Sequence, residues 1–504
     1  EIEIKLAIGA GHAARLWRAL GRFPHQRPST QRLFSAYYDT PEFRLHSSGV
    51  ALRLRREGQR WIQAVKGATS ASGGLHRCTG HETPVAAQLP DFPAVAQAGY
   101  GALVADRHTR DALRVIFTTR FRRTSALFER DGQSIVEVSL DRGAISAGGR
   151  HESICEIELR LRAGNASALF ELASEMVRQM PVRLDNRSKA ERGYALAASA
   201  DAAPVRAAAS RLTRQMTIEQ AFANVAFDCI AHLQANEAGL LAGRDPEYLH
   251  QARVALRRLR SACRIFGTVI PRRMMAQTQD QIKAISRLLG NARNCDVFSV
   301  ETLAHADAAD HAGIAAVRRR AQMLRRQAGR EARAAVAASA YTIMLLQFAQ
   351  KLFELQTQPQ PGAAPVPRPR LEDFAAGVLS QLHASVKKRG RHIEQLAFPE
   401  LHRLRIEIKR LRYASDFFLP LAPRKADDAL QSLGALQGLL GRLNDDAVAW
   451  RLLDTLATAD ASADYQQAIG YERGWCARDG ELCRGMLEQA WKTFGKHKAW
   501  WRWS

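Results

Sequence analysis

The hydrophobic pattern changes period once, near residue 200, and that change commits the chain to two differently built halves. Up to about residue 195, apolar and polar residues alternate with period two in Glu1-Ile2-Glu3-Ile4-Lys5-Leu6, Leu52-Arg53-Leu54-Arg55, Arg120-Phe121-Arg122, Ile135 to Asp141 and Cys155 to Leu161, which predicts strands. Beyond the small, Pro-punctuated stretch 199–209 the period becomes 3.6. Segments 217–242, 247–268, 277–290, 309–336, 371–396, 400–419 and 426–443 predict amphipathic helices, and a Pro-rich stretch over 357–370 divides them. The expected fold is multidomain: an α+β antiparallel domain over 1–198, a linker over 199–209, a helical bundle over 210–356, a second linker over 357–370 and a second bundle over 371–504. No apolar run reaches the roughly 18 residues of a membrane span, so Tyr341 to Phe348 reads as a buried helix.

Residues two apart share a strand face, so each predicted strand has one apolar and one ionic face. The ionic faces carry both signs. One such strand fits an open sheet with a wetted face, whereas five together fit a closed barrel with a charged lumen, covered outside by helices such as Gly11 to Leu20 and Ala166 to Met180. The carboxylates Glu1, Glu3, Glu156 and Glu158 are hard oxygen donors of the kind that bind Mg2+ or Mn2+. Arg53, Arg55, Lys66, Arg120, Arg122 and Lys189 are suited to clamp phosphate oxygens and to stabilise a departing phosphoryl group. Acid for a metal and base for phosphates is the composition phosphoryl transfer needs. Lys5, Lys66 and Lys189 are the only lysines in residues 1–200 of a chain that otherwise favours Arg, and a compact ammonium is not interchangeable with a planar fork at a phosphate. No Walker A loop, H-E-x-x-H, G-x-S-x-G or G-x-G-x-x-G motif occurs, which leaves nucleotide-motor, zinc-protease, serine-hydrolase and dinucleotide readings without support.

The helical half repeats itself. Leu249 to Arg260 matches Leu401 to Arg412 at an offset of 152 residues, and Leu289 to Asn294 matches Leu440 to Asp445 at an offset of 151, which predicts a duplicated bundle. At 100° per residue, His250, Arg253, Arg257 and Arg260 fall within an arc of about 80°, and His402, Arg405, Lys409 and Arg412 repeat that stripe. A solvated basic face is the plain alternative for one helix. Duplication, with His leading both copies, favours a positive groove for a phosphate chain, and the net charge of +23 favours a polyanionic partner. The stripes have no carboxylate or Cys at i+3 or i+4 to make the histidines metal ligands. They also have almost no interleaved aromatics, which argues against nucleic acid. The tryptophans of the tail, Lys496 to Trp503, are of the kind that stack bases or touch a membrane surface, and they read first as a docking segment. Seven cysteines without a C-x-x-C pair indicate a reducing compartment, and with no visible signal peptide the expected location is cytoplasmic.

Glu1-Ile2-Glu3-Ile4-Lys5 has the E-x-E-x-K form of the CYTH family, the triphosphate tunnel metalloenzymes. Tyr37 to Pro41, Arg53-Leu54-Arg55, Lys66-Gly67, Glu137 to Gly143, Glu156/Glu158 and Ser188-Lys189 follow in the family's order. Residues 1–197 resemble that family. The resemblance implies an antiparallel tunnel barrel that hydrolyses or rearranges triphosphates with Mg2+ or Mn2+. It implies metal binding by Glu1, Glu3, Glu156 and Glu158, and phosphate binding by Lys5, Arg53, Arg55, Lys66, Arg120, Arg122 and Lys189. Glu137, Lys189, Arg120 and Arg122 are the expected catalytic residues, while Glu82 and Asp141 carry over less directly and Asp39 reads as a turn brace. Ala64-Val65 stands where relatives often have Thr before the Lys66 position, leaving fine specificity open. Residues 210–504 resemble the CHAD family, which implies two pseudo-twofold four-helix bundles and polyphosphate binding through His250, Arg253, Arg257, Arg260, His402, Arg405, Lys409 and Arg412. The expected activity is hydrolysis of tripolyphosphate to pyrophosphate and phosphate, with association with polyphosphate granules. The same fold acting on an organic triphosphate (thiamine triphosphatase, RNA 5′-triphosphatase or class IV adenylyl cyclase) and a non-enzymatic polyphosphate scaffold are the alternatives.

Overall fold

A computed structural model describes the chain except for residues 1, 22–24, 68–69, 78–79, 200–202, 244, 305–312, 358–368, 422–425, 461, 498 and 502–504. Glu1 and most of the second predicted linker therefore lie outside the described residues. The chain divides into two compact units, residues 1–203 with 338–350, and residues 204–337 with 351–504.

The first unit is built on one antiparallel sheet of β1 (Ile2–Ile8), β2 (Ser29–Asp39), β3 (Ala51–Glu57), β4 (Arg60–Lys66), β5 (Ser70–Ser72), β6 (Leu75–Arg77), β7 (Gly80–Val85), β8 (Arg114–Arg130), β9 (Ser134–Ala147), β10 (Arg150–Ala163) and β11 (Val182–Leu184). The order is β5-β6-β1-β10-β9-β8-β2-β3-β4-β7, with β11 also on β1. No ladder joins β5 to β7 among the described residues. The sheet wraps instead until side chains from β6 and β1 toward one end and from β3, β4 and β7 toward the other line a single cavity. The long β9–β10 hairpin turns on Gly148 (φ 53°) and Gly149 (φ 79°), the left-handed pair that a two-residue hairpin loop demands.

Helices cover the outer face. In α1 (Ala13–Leu20), Leu16 and Leu20 are buried, and α1 also stacks Trp17 on Phe128 at 6.5 Å between centroids. Short α2 (Arg44–Ser47), α3 (Phe92–Val95) and α4 (Arg107–Ala112) precede α5 (Ser167–Gln179), which buries Leu169, Phe170, Leu172 and Met176 and packs on β1, β9, β10 and β11. Both predicted covering helices are thus present, each shorter by a residue or two at its ends. A third, α6 (Lys189–Ala198), starts at a Ser188/Glu191 capping box and packs on β8, β9 and β10. Gly193 makes this packing possible, because a Cβ there would collide with the Phe117 ring of β8.

The second unit is helical: α7 (Ile218–Ala235), α8 (Glu237–Ala242), α9 (Pro246–Ile265), α10 (Arg272–Val300), α11 (Ile314–Ala337), the end of α12 (Ser339–Thr357), α13 (Leu371–Arg389), α14 (Phe398–Phe418), α15 (Asp427–Ala457) and α16 (Ala463–Lys496). Helices α7, α9, α10 and α11 correspond in order to α13, α14, α15 and α16, and each packs on its counterpart, which is the arrangement of a duplicated four-helix bundle.

The structure departs from the sequence reading in three places. Residues 338–350 pack with the first unit rather than with the predicted first bundle. The predicted linker over 199–209 is tied to the residue that caps α7 where it is described, since Val205 N–H donates to Asn236 Oδ1 at 3.0 Å and the Val205 carbonyl accepts from Asn236 Nδ2 at 2.9 Å. The repeated 289–294 and 440–445 motifs, which run past the predicted helix ends at 290 and 443, lie inside α10 and α15. No single described helix is long and apolar enough to cross a membrane. Trp500 and Trp501 are buried, and Trp501 Nε1–H donates to Ser380 Oγ at 2.9 Å, so the described part of the tail is docked on α13.

Candidate functional site

The sheet register builds the site as rows of paired charge. Lys5 on β1 lies opposite Glu158 on β10, and Glu3 opposite Arg160. Asp141 on β9 lies between Glu156 on β10 and Arg123 on β8. Across β3, β4 and β7 the row is Arg53, Ala64 and Glu82, and with only a methyl group between them Arg53 donates to Glu82 Oε1 at 3.0 Å. Ala64, the departure noted in the sequence, therefore keeps a cation–carboxylate pair across three strands.

These rows enclose a cavity of about 600 Å3. Lys5, Lys66 and Lys189, the only lysines of residues 1–200, all line it, with Arg53, Arg55, Arg123, Arg160, Glu3, Glu82 and Glu158. Lys189 sits at the first position of α6, where a helix dipole disfavours a cation. Three carboxylates reverse that preference, with Lys189 Nζ 2.7 Å from Asp141, 2.5 Å from Glu156 and 3.0 Å from Glu158. One oxygen from each of these carboxylates lies within 4.8 Å of the others, the one group among the described residues with the donors and spacing of a metal site. Oxygen donors converging in this way fit a hard divalent cation such as Mg2+ or Mn2+. Glu3 stands apart from that group, 3.2 Å from Lys5 and 3.2 Å from Arg160.

The buried charges hold one another ionised. Burial works against the Lys5 and Lys189 ammonium groups, but Glu158 with Glu3 around Lys5, and Glu156, Glu158 and Asp141 around Lys189, raise both pKa values above the ordinary lysine range. Burial alone would raise Glu158, and Arg123, Lys189 and Lys5 overcome it and hold that carboxyl well below its ordinary value. Beside them, burial and Lys5 push His76 down to about 4, so a neutral imidazole rests there with Nε2 3.0 Å from the Asp185 carbonyl. Asp39 has a bracing role, accepting from the Leu45 and His46 N–H groups at 2.8 and 2.9 Å and from the Tyr194 hydroxyl at 3.0 Å.

Two expected residues require correction. Arg120 and Arg122 point away from the cavity and are exposed, with Arg120 over the Phe34 ring at 5.6 Å. The inward residues of β8 are Thr119, Phe121 and Arg123. Phe121 reverses the expected rule, because this aromatic faces the charges and seats Lys189 Nζ at 4.9 Å and Arg123 at 5.7 Å from its ring centroid. Glu137 faces inward but is held by Arg162 at 2.6 Å, and Glu156 lies behind Lys189, bonded to Arg192 Nη1 at 2.9 Å. Arg123, Arg160, Arg162, Arg192 and His76 were not singled out from the sequence. Strand parity finds Arg160 and Arg162, which share a face with Glu158.

In the second unit, Arg253 and Arg257 of α9 face Arg405 and Lys409 of α14. Burial and this mutual repulsion push Arg253 down to about 10 and Lys409 down to about 6, with Asp445 of α15 opposing. His402 Nδ1 lies 3.1 Å from Asn444 Oδ1, while His250, at the equivalent position, is pushed down by burial and Arg293. Asn444 and Arg293 are themselves equivalent in the repeat. Arg260 turns instead toward a separate cleft of about 590 Å3 with Arg264 and Lys283. Arg412 continues the α14 stripe, near Asp416.

Comparison with known proteins matches residues 1–194 to the CYTH domain and residues 224–454 to the CHAD domain. The chain joins a CYTH domain to a CHAD domain. Over 196 residues it is 33% identical to an inorganic triphosphatase of Haemophilus influenzae, a match covering 39% of this chain and 54% of the relative. The chain thus spans about half the length of that curated relative. The crystal structure of a CHAD domain from the plant Ricinus communis superposes with a TM-score of 0.52 at 32% identity, covering 59% of this chain and 98% of that one. These likenesses agree with an antiparallel CYTH sheet followed by a CHAD helical region.

Proposed function

We propose that the first unit hydrolyses inorganic triphosphate, with tripolyphosphate as substrate and pyrophosphate and phosphate as products. The observation that carries this reading is the convergence of Lys5, Lys66, Lys189, Arg53, Arg55 and Arg123 on one cavity that also holds carboxylates. A chain of three phosphates needs cations along its length and a hard-cation site at one side, and it needs little else. Arg53 and Arg55 carry planar forks for bridging and terminal oxygens, while Lys5 and Lys189 stay protonated against burial and can meet charge that develops on a leaving phosphate. Asp141, Glu156 and Glu158 would hold Mg2+ or Mn2+, with Glu3 in electrostatic reach of Glu158. When bound, such an ion supplies Lewis-acid polarisation of phosphoryl oxygens. The relative's inorganic triphosphatase activity supports the reading.

In the second unit, the repelling Arg253, Arg257, Arg405 and Lys409 favour a polyanion, and inorganic polyphosphate matches their repeat along two helices. Phosphate release from tripolyphosphate, ATP, thiamine triphosphate and long-chain polyphosphate tests substrate class. The reading predicts that tripolyphosphate has the highest kcat/KM; a preference for a nucleoside or thiamine triphosphate would replace it.

A further inference from the structure

Every carboxylate of the candidate metal group already has a cation of this chain in contact. Glu156 receives Lys189 on Oε1 and Arg192 on Oε2, at 2.5 and 2.9 Å. Glu158 receives Lys189 on Oε1 at 3.0 Å and Arg123 on Oε2. Asp141 receives Arg123 on both oxygens, at 2.7 and 2.6 Å, with Lys189 2.7 Å from Oδ2. Three carboxylates are thus met at hydrogen-bond distance by Lys189, Arg123 and Arg192, with Lys5 3.6 Å and Arg160 3.9 Å from Glu158, and all three acids are buried. Two extra positive charges placed in this desolvated cluster would be opposed by the cations already in contact with it.

Of the three cations in closest contact, Lys189 differs. Arg123 is fixed by a two-pronged bond to Asp141, and Arg192 is tied to Glu152 and to the Ser153 carbonyl as well as to Glu156. Lys189 ends in a single ammonium that touches all three carboxylates, lines the cavity and lies against the Phe121 ring. It is the cation that can change partners by rotating a flexible stem.

Resting on the triphosphate reading above, we infer that Lys189 is a resident counter-ion that keeps Asp141, Glu156 and Glu158 closed to a divalent cation until a triphosphate in the cavity draws its ammonium away. Metal and triphosphate are then bound cooperatively. By linkage, each raises the affinity for the other by the same factor. Neither alone satisfies the site: metal without the anion leaves excess positive charge, and the anion that takes Lys189 leaves buried carboxylates in need of a cation.

The test is Mn2+ binding to the full chain, followed by the loss of the free-ion signal in electron paramagnetic resonance. It is run alone and with a nitrogen-bridged triphosphate that resists hydrolysis, for wild type and Lys189→Met. Wild-type affinity for Mn2+ should rise at least about tenfold when the analogue is present. Lys189→Met should bind Mn2+ without the analogue at least about tenfold more tightly than wild type does, and its thermal unfolding should become Mn2+-dependent. Equal wild-type affinity with and without the analogue, while the analogue itself binds, would overturn this inference alone. A wild-type chain that binds no analogue, with or without Mn2+, would overturn the triphosphate reading and this inference with it.

Discussion

Arg122 and Arg123 are neighbours in sequence and opposites in environment. Arg122 is exposed on the outer face of β8, whereas Arg123 reaches Asp141 and Glu158 and is lifted further above its ordinary pKa by Glu158 and Asp141, against burial. Arg123→Met should lower kcat/KM for tripolyphosphate by about 10²-fold or more, and Arg122→Met should leave it within about twofold. Equal losses in steady-state assays would contradict the parity argument. Lys409 gives a second prediction. Burial, with Arg405, Arg257 and Arg253, lowers it from its ordinary 10.5 to about 6. Between those values the unfolded chain binds more protons than the folded one, so this residue costs stability that is regained as pH rises through the window. Lys409→Met should therefore raise the melting temperature at pH 7 and weaken its pH dependence, yet reduce retention of long-chain polyphosphate. Calorimetry across pH 6–9, with a filter-binding assay, checks both signs. A less stable variant at pH 7 would refute the first.

At the scale of elements, α6 decides whether the cavity has its third lysine. Its capping box fixes where the helix starts, and the missing Cβ of Gly193 lets it lie against Phe117. Gly193→Ala gains roughly 1 kcal/mol in helix propensity but forces a methyl group into the Phe117 ring, and overpacking of this kind costs about 1–3 kcal/mol. Net destabilisation is expected, with a loss of turnover larger than the loss of folded protein, because Lys189 moves with the helix. Denaturant unfolding beside single-turnover assays separates the two. An unchanged midpoint with unchanged turnover would show that the contact does not position Lys189. The same helix shows what was legible. Ser188-Lys189 was readable as a motif, but the close approach to β8 depends on a glycine that looks like any other until the strand opposite it is known.

Over the whole molecule, the period change near residue 200 and the repeat offset carried the architecture, because periodicity is a property of one chain segment and needs no partner. Long elements were underestimated where glycines thin the pattern: α16 runs from Ala463 to Lys496 through Gly470, Gly474, Gly480 and Gly485 and was not singled out as a helix. The site was legible where one strand face carries only charge, as at Glu156 and Glu158. It failed at Arg120-Phe121-Arg122-Arg123, where Arg occupies both parities and the decisive fact is an aromatic turned inward to meet cations. The packing of 338–350 with the first unit rather than with the bundle was not legible, because a buried apolar run does not name the surface that buries it.

Whether these converging charges act as a metal-dependent site for inorganic triphosphate is decided by phosphate release from tripolyphosphate by the full chain. The assay compares wild type and Glu158→Gln in Mn2+, in Mg2+ and in EDTA. Turnover that EDTA abolishes is expected in the wild type, with a loss of about 10²-fold or more in Glu158→Gln, whose carboxylate meets Lys5, Arg123 and Lys189. Turnover that survives EDTA, or a Glu158→Gln chain as active as the wild type, would contradict it.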